Sequence, residues 1–190
     1  MRQQTIEFKK GTVIEVSFAT VKKGKDGQLF GEYFPKVIPI IEDIGGQPLG
    51  SFTILEALTT LDNPKICALF QWPNLEGFKK LHSDPRFLAI KNIRDDSLSF
   101  FLNGLFFTVE EDTEVQFNEN ESYLLSAVQK NVNLLNDTPL VNLNTTIVAS
   151  ENCYQPNSIQ IEQWSEQIQQ RFDSSVKGID LYTLAMNFPK

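Results

Sequence analysis

Histidine occurs once in the 190 residues, at position 82, which excludes any metal site built on several imidazoles. Cysteine occurs twice, too few for a disulfide framework. Cys67 sits in an apolar run and reads as a small buried hydrophobe, while Cys153 lies in a loop-like setting, the usage of a reducing cytoplasm. No apolar run approaches the ~18 residues of a membrane-spanning helix. The longest candidate, Phe100 to Val109, is broken by Asn103 and Gly104. The opening residues Met1-Arg2-Gln3-Gln4-Thr5 lack the apolar stretch of a secretory signal, so the expected location is cytoplasmic. Basic residues are the minority, 17 Lys+Arg against 24 Asp+Glu, and the net charge of −7 argues against nucleic-acid or anionic-membrane partners. The signatures G-x-S-x-G, G-x-G-x-x-G, C-x-x-C, H-E-x-x-H and the P-loop are all missing. No metal and no cofactor is expected.

What is present is an ordinary globular composition, 41% hydrophobic and 22% charged, with fifteen Phe against four Tyr and two Trp. Thr12 to Val21 alternates Val13, Glu15 and Ser17 against Ile14, Val16 and Phe18, the period of a strand. A helical stripe of Phe30, Phe34, Val37, Ile41 and Ile44 follows, with Pro35 and Pro39 predicting a helix that begins near Pro35 or kinks there. Gly45-Gly46 supplies its left-handed stop. Leu49 to Leu58 reads as a second strand, and Ile66–Phe70, apolar throughout, as a third that needs both faces covered. Pro73 suits the first turn of a helix carrying Leu75, Phe78 and Leu81, and Asp84-Pro85 caps a short second one. Leu98 to Val109 closes the unit as a strand with a bulge at Gly104. The order is β-α-β-β-α-β, the ferredoxin-like split motif.

Residues 1–109 carry 13 basic and 12 acidic side chains, whereas residues 110–190 carry 4 and 12. Glu110-Glu111-Asp112-Thr113-Glu114 marks the changeover and reads as a solvated linker between units at 1–112 and 113–190. The second unit repeats the first in shortened form. Pro64, Cys67, Gln71 and Trp72 align with Pro156, Ile159, Gln163 and Trp164 at a constant offset of 92. Strands are expected at Glu121 to Gln129, Leu140 to Ala149, Ser158 to Gln163 and Leu181 to Phe188, with Ile168 and Phe172 on one face of a helix after Trp164. Lys130 to Asp137 leaves no room for the long first helix.

Tyr33, Pro39, Gly45-Gly46, Leu49, Gln71-Trp72-Pro73, Phe78, Asp84-Pro85-x-Phe87 and Arg94 together resemble the family called domain of unknown function 1330, in the dimeric α+β barrel superfamily. The resemblance implies a ferredoxin-like unit whose sheet closes a barrel with a second sheet, ordinarily from another subunit. Here the shortened repeat would supply that sheet within one chain, giving an α+β pseudo-dimer that is a monomer or pairs as a homodimer.

Four residues stand out as candidates. His82 reads as a general base, as an axial ligand to haem (which some superfamily members bind), or as a helix-end residue suited to the dipole. Arg94 offers a planar fork for a carboxylate, or pairs with Asp95 or Asp96. Tyr33 donates from its hydroxyl or sits as an amphipathic rim residue. Trp72 borders the same cleft, although its counterpart Trp164 favours a shared packing role. The carboxylates Glu32, Glu42, Asp43, Asp95 and Asp96 form no recognisable dyad. The expectation is that His82 and Arg94 are catalytic and Tyr33 and Trp72 hold a small apolar or aromatic carbonyl or carboxylate compound, with cofactor-independent chemistry. The alternative is a non-catalytic binding or assembly module, favoured by a filled interior where a cavity of ~300 Å³ or more would favour ligand binding.

Overall fold

The computed structural model describes residues 2–129, 139–145, 154, 156–174 and 177–188, with the side chains of 171–174 outside the description. Expectations for Lys130 to Asp137, for 146–149, for Cys153 and for the side chain of Phe172 fall outside it.

The strands of the first half are β2 (Val13–Val21), β3 (Gln47–Leu58), β4 (Ile66–Trp72) and β5 (Leu98–Thr108), preceded by β1 (Gln3–Phe8). Those of the second are β6 (Thr113–Asn118), β7 (Ser122–Val128), β8 (Val141–Thr145), β9 (Ser158–Gln163) and β10 (Ile179–Met186). Eight of them close into one barrel in the order β10-β3-β4-β2-β5-β8-β9-β7. Within each half the sheet runs second, third, first, fourth: β3-β4-β2-β5 and β8-β9-β7-β10. The halves join through β10 on β3 and β5 on β8, so neither sheet keeps a free edge.

Alternation along each strand assigns the faces. Ile14, Val16 and Phe18 of β2 point into the barrel, where they share one core with Leu125, Ile159, Ile161 and Leu184 of the second half. The alternate residues Val13, Glu15, Ser17 and Ala19 face the helices. Toward one end of the barrel, Tyr182 hydroxyl lies 2.8 Å from Thr59 Oγ1 and 3.0 Å from the Tyr154 hydroxyl.

Thr113 and Glu114 are not solvated linker: they open β6, which pairs with β1, a strand the N-terminal sequence did not suggest. Ile6, Phe8, Val115 and Phe117 of this ribbon are buried in the barrel core, and covering them outweighs the polar character of Gln3, Thr5, Glu114 and Gln116 on the outer face.

The first helical segment comprises α1 (Asp26–Gln28), a π turn (Leu29–Tyr33) and α2 (Phe34–Asp43). Pro35 has no N–H for the Gly31 carbonyl, and just before it the Phe34 N–H reaches back five residues to Leu29. The wider turn rotates the stripe: Leu29, Tyr33, Val37, Ile40 and Ile41 are buried, whereas Phe30, expected inside, is 47% exposed. Gly45, at φ +85°, ends α2 in a Schellman arrangement, its N–H on Glu42 O and that of Gly46 on Ile41 O. The next helix, α3 (Leu75–Ser83), is capped by Asn74, whose side chain accepts from the Glu76 N–H at 3.0 Å, so Pro73 stands outside it. Asp84 caps α4 (Pro85–Ser97) as expected, accepting from the Arg86 N–H at 2.8 Å, and that helix is thirteen residues long. The second half retains α5 (Glu166–Ser174), whose Ile168 packs on Leu124, Val128 and Leu181.

Candidate functional site

Between the helices and the outer face of β2, β3, β4 and β5 lies a cleft of about 890 Å³. Its walls are mostly aromatic and aliphatic, with Phe34, Phe70, Phe78, Phe87 and Phe101 among them. All four sequence candidates, Tyr33, Trp72, His82 and Arg94, line it. They arrive on four elements: Tyr33 from the π turn, Trp72 at the end of β4, His82 in the last turn of α3 and Arg94 near the end of α4.

The polar centre of the cleft is Glu15, which the sequence reading passed over as one residue of an alternating strand. Its carboxylate is buried, and Oε2 accepts from Trp72 Nε1 at 3.0 Å. A second donor is the backbone N–H of Gly104. That amide is aimed by the bulge in β5, where Val16 faces Leu105 but Phe18 faces Leu102, leaving Asn103 and Gly104 looped out. Gly104 has φ +76°, the left-handed conformation such a bulge requires. Burial pushes the Glu15 carboxyl up to about 7 against the pull of Trp72, Gly104 and the Arg94 charge. Such a group exchanges protons near neutrality.

Trp72 is 1% exposed and its ring is fixed from behind. A Cβ on Gly46 would stand 2.5 Å from Trp72 Cζ3, and one on Gly77 would stand 3.1 Å from Cε3. Trp72 therefore both packs and donates. Trp164, just beyond β9, is half-buried against the small core under α5.

Arg94 makes the ion pair with Asp95 that its position suggested and also lines the cleft. It is 8% exposed, and its Nε and Nη2 donate to Asp95 Oδ1 at 2.9 and 2.7 Å. The guanidinium stands over the Phe101 ring at 4.5 Å and lines the cleft. It also makes a hydrogen-bonding contact with the buried Tyr33 phenol, whose ionisation burial pushes upward while Arg94 pulls it down. His82 is half-buried, in contact with the Phe78 ring at 4.4 Å and the Phe87 ring at 5.2 Å. Burial, then the nearby Arg94 and Lys91 cations, lower its protonation, so it is neutral near pH 7. Arg94 can thus receive negative charge, Tyr33 can donate, and Glu15 and His82 can accept. Among the described residues no group of three or more His, Cys, Asp or Glu is arranged to hold a metal ion, and no helix is long and apolar enough to cross a membrane.

The chain is similar in fold to a solved structure titled "Crystal structure study of anthrone oxidase-like protein". The two superpose with a TM-score of 0.53 over 93% of this chain and 91% of that one, at 12% identity. At that identity the likeness shows a shared α+β barrel fold. No protein-family profile and no curated protein sequence matches the chain.

Proposed function

We propose that the protein binds a small apolar or aromatic compound bearing a carbonyl or carboxylate in the cleft of its first half and acts on it without a cofactor. His82 and Arg94 are the catalytic candidates at its polar end, and Tyr33 and Trp72 hold it. The observation that carries this reading is the convergence of Glu15, Tyr33, His82 and Arg94 on one mostly apolar cleft of about 890 Å³. A filled space there would have favoured an assembly module, and the volume lies within the range of small-molecule sites. Of the residues that resemble the domain of unknown function 1330 family, Tyr33, Leu49, Trp72, Phe78, Phe87 and Arg94 line it. The fold neighbour's title supplies a probe: an anthrone is a planar tricyclic aromatic ketone, which suits flat aromatic walls and one polar end.

The test is a fluorescence titration with anthrone, in a Trp164→Phe background so that Trp72 reports alone. The expected result is saturable quenching, weakened about ten- to hundred-fold by Arg94→Met, the scale of losing a charged hydrogen-bond partner. Unchanged affinity in both Arg94→Met and His82→Gln removes those residues from the site.

The same reading takes the chain as a degenerate tandem duplication of a ferredoxin-like unit, with boundaries at 1–112 and 113–190. Its support is the repeated strand order and the registers. Glu15 faces Phe70 and Ser17 faces Ala68 in the first half; Leu124 faces Glu162 and Ser126 faces Gln160 in the second. The partners on β4 and β9 stand at the 92-residue offset seen in the sequence.

A further inference from the structure

We propose that Glu15 is the catalytic residue that removes a proton from the carbon acid bound in this cleft, an assignment that rests on the aromatic-carbonyl reading above. The carboxylate lines the cleft while Trp72 Nε1 and the Gly104 amide hold it from β4 and β5. Two donors leave free acceptor positions among the roughly four of a carboxylate. Facing it are Arg94 from α4 and Tyr33 from the π turn, and His82 lines the same cleft from α3.

The choice between Glu15 and His82 follows from charge. A proton accepted by His82 creates a third cation beside Arg94 and Lys91, at a site where burial first and then those two charges already disfavour it. A proton accepted by Glu15 removes a buried anion that desolvation disfavours. In the step, a C–H bond conjugated with the carbonyl breaks (in anthrone, one of the methylene across the central ring) and the proton passes to Glu15. The electron pair moves into an enolate whose oxygen faces the Arg94 guanidinium and the Tyr33 hydroxyl. The reverse transfer restores both partners, so the exchange needs no oxidant or reductant.

The experiment follows deuterium uptake at the acidic methylene of anthrone by proton NMR, without oxygen, in deuterated buffer with the full chain. The wild type is expected to accelerate uptake, with a rate that rises through a midpoint of about 7. Glu15→Gln is expected to lose about 100-fold or more, the scale of general-base removal, while still quenching Trp72 fluorescence. In His82→Gln the midpoint is expected to stay near 7. Equal uptake in Glu15→Gln, or a midpoint that vanishes in His82→Gln, overturns the assignment to Glu15 while binding of anthrone leaves the cleft reading intact. Absence of anthrone binding to the wild type overturns that reading and this inference with it. If Glu15→Gln does not fold, the wild-type profile decides alone, and a rate independent of pH overturns the proposal.

Discussion

Glu15 is a buried carboxyl in the wall of the cleft, and its proton is linked to folding. Its affinity for that proton is raised from 4.5 to about 7, so the native chain binds the proton more tightly than the unfolded chain does. The stabilisation this gives is complete below pH 4.5, falls between 4.5 and about 7, and is absent above. Glu15→Gln, which keeps an acceptor for Trp72, should therefore gain on the wild type as the pH rises. The gain tends toward about 3 kcal/mol at pH 8 and is much smaller at pH 5, as read by denaturant unfolding. An equal difference at the two values would mean that Glu15 is solvated in the folded chain. Gly46 tests the neighbouring ring. Its substitution by Ala puts Cβ into Trp72 and into Ile41 Cγ2, 2.7 Å away. The expected cost is about 1–3 kcal/mol by thermal unfolding, with a shifted Trp72 emission.

At the scale of elements, two irregularities shape the site: the π turn before Pro35 and the bulge at Asn103 and Gly104. Both left a trace in the sequence, as prolines within a helical stripe and a glycine inside a strand. The trace says that regular structure breaks there without saying what the break is for. The π turn carries Tyr33 inward and Phe30 outward because one extra residue changes the phase of everything before it. The bulge turns an amide toward Glu15, and Gly104→Ala should show this. A side chain at φ +76° costs about 1–2 kcal/mol. Displacement of the amide also removes a donor that lowers the Glu15 pKa, so its titration, followed by NMR of the carboxyl carbon, should move above 7. A variant whose Glu15 titrates unchanged would remove Gly104 from the site. Elements with strong periodicity or caps were readable: β9 runs from Ser158 to Gln163 as expected, and Asp84-Pro85 opens α4. The ribbon of β1 and β6 was not, because six-residue strands flanked by Arg2, Lys9 and a run of acids carry weak alternation.

For the whole molecule, the closed barrel makes one core out of two halves. Among the described residues, the inward faces of β2, β3, β4 and β5 are covered chiefly by β7 to β10 and the ribbon. Residues 1–112 expressed alone should aggregate or dimerise, since they expose that face together with the open edges of β3 and β5. Size-exclusion chromatography with light scattering checks this, and a soluble folded monomer would count against the shared core. The sequence by itself determined the order of the helices and of the barrel strands, the 92-residue echo and the need to cover Ile66–Phe70, because period, caps and apolar runs are local or repeat along the chain. It also brought forward Tyr33, Trp72, His82 and Arg94. Only the tertiary structure decided that these four share a cleft, and that a glutamate of an ordinary alternating strand stands among them. Burial and proton affinity depend on neighbours drawn from β4, β5 and α4, and no pattern within β2 contains them.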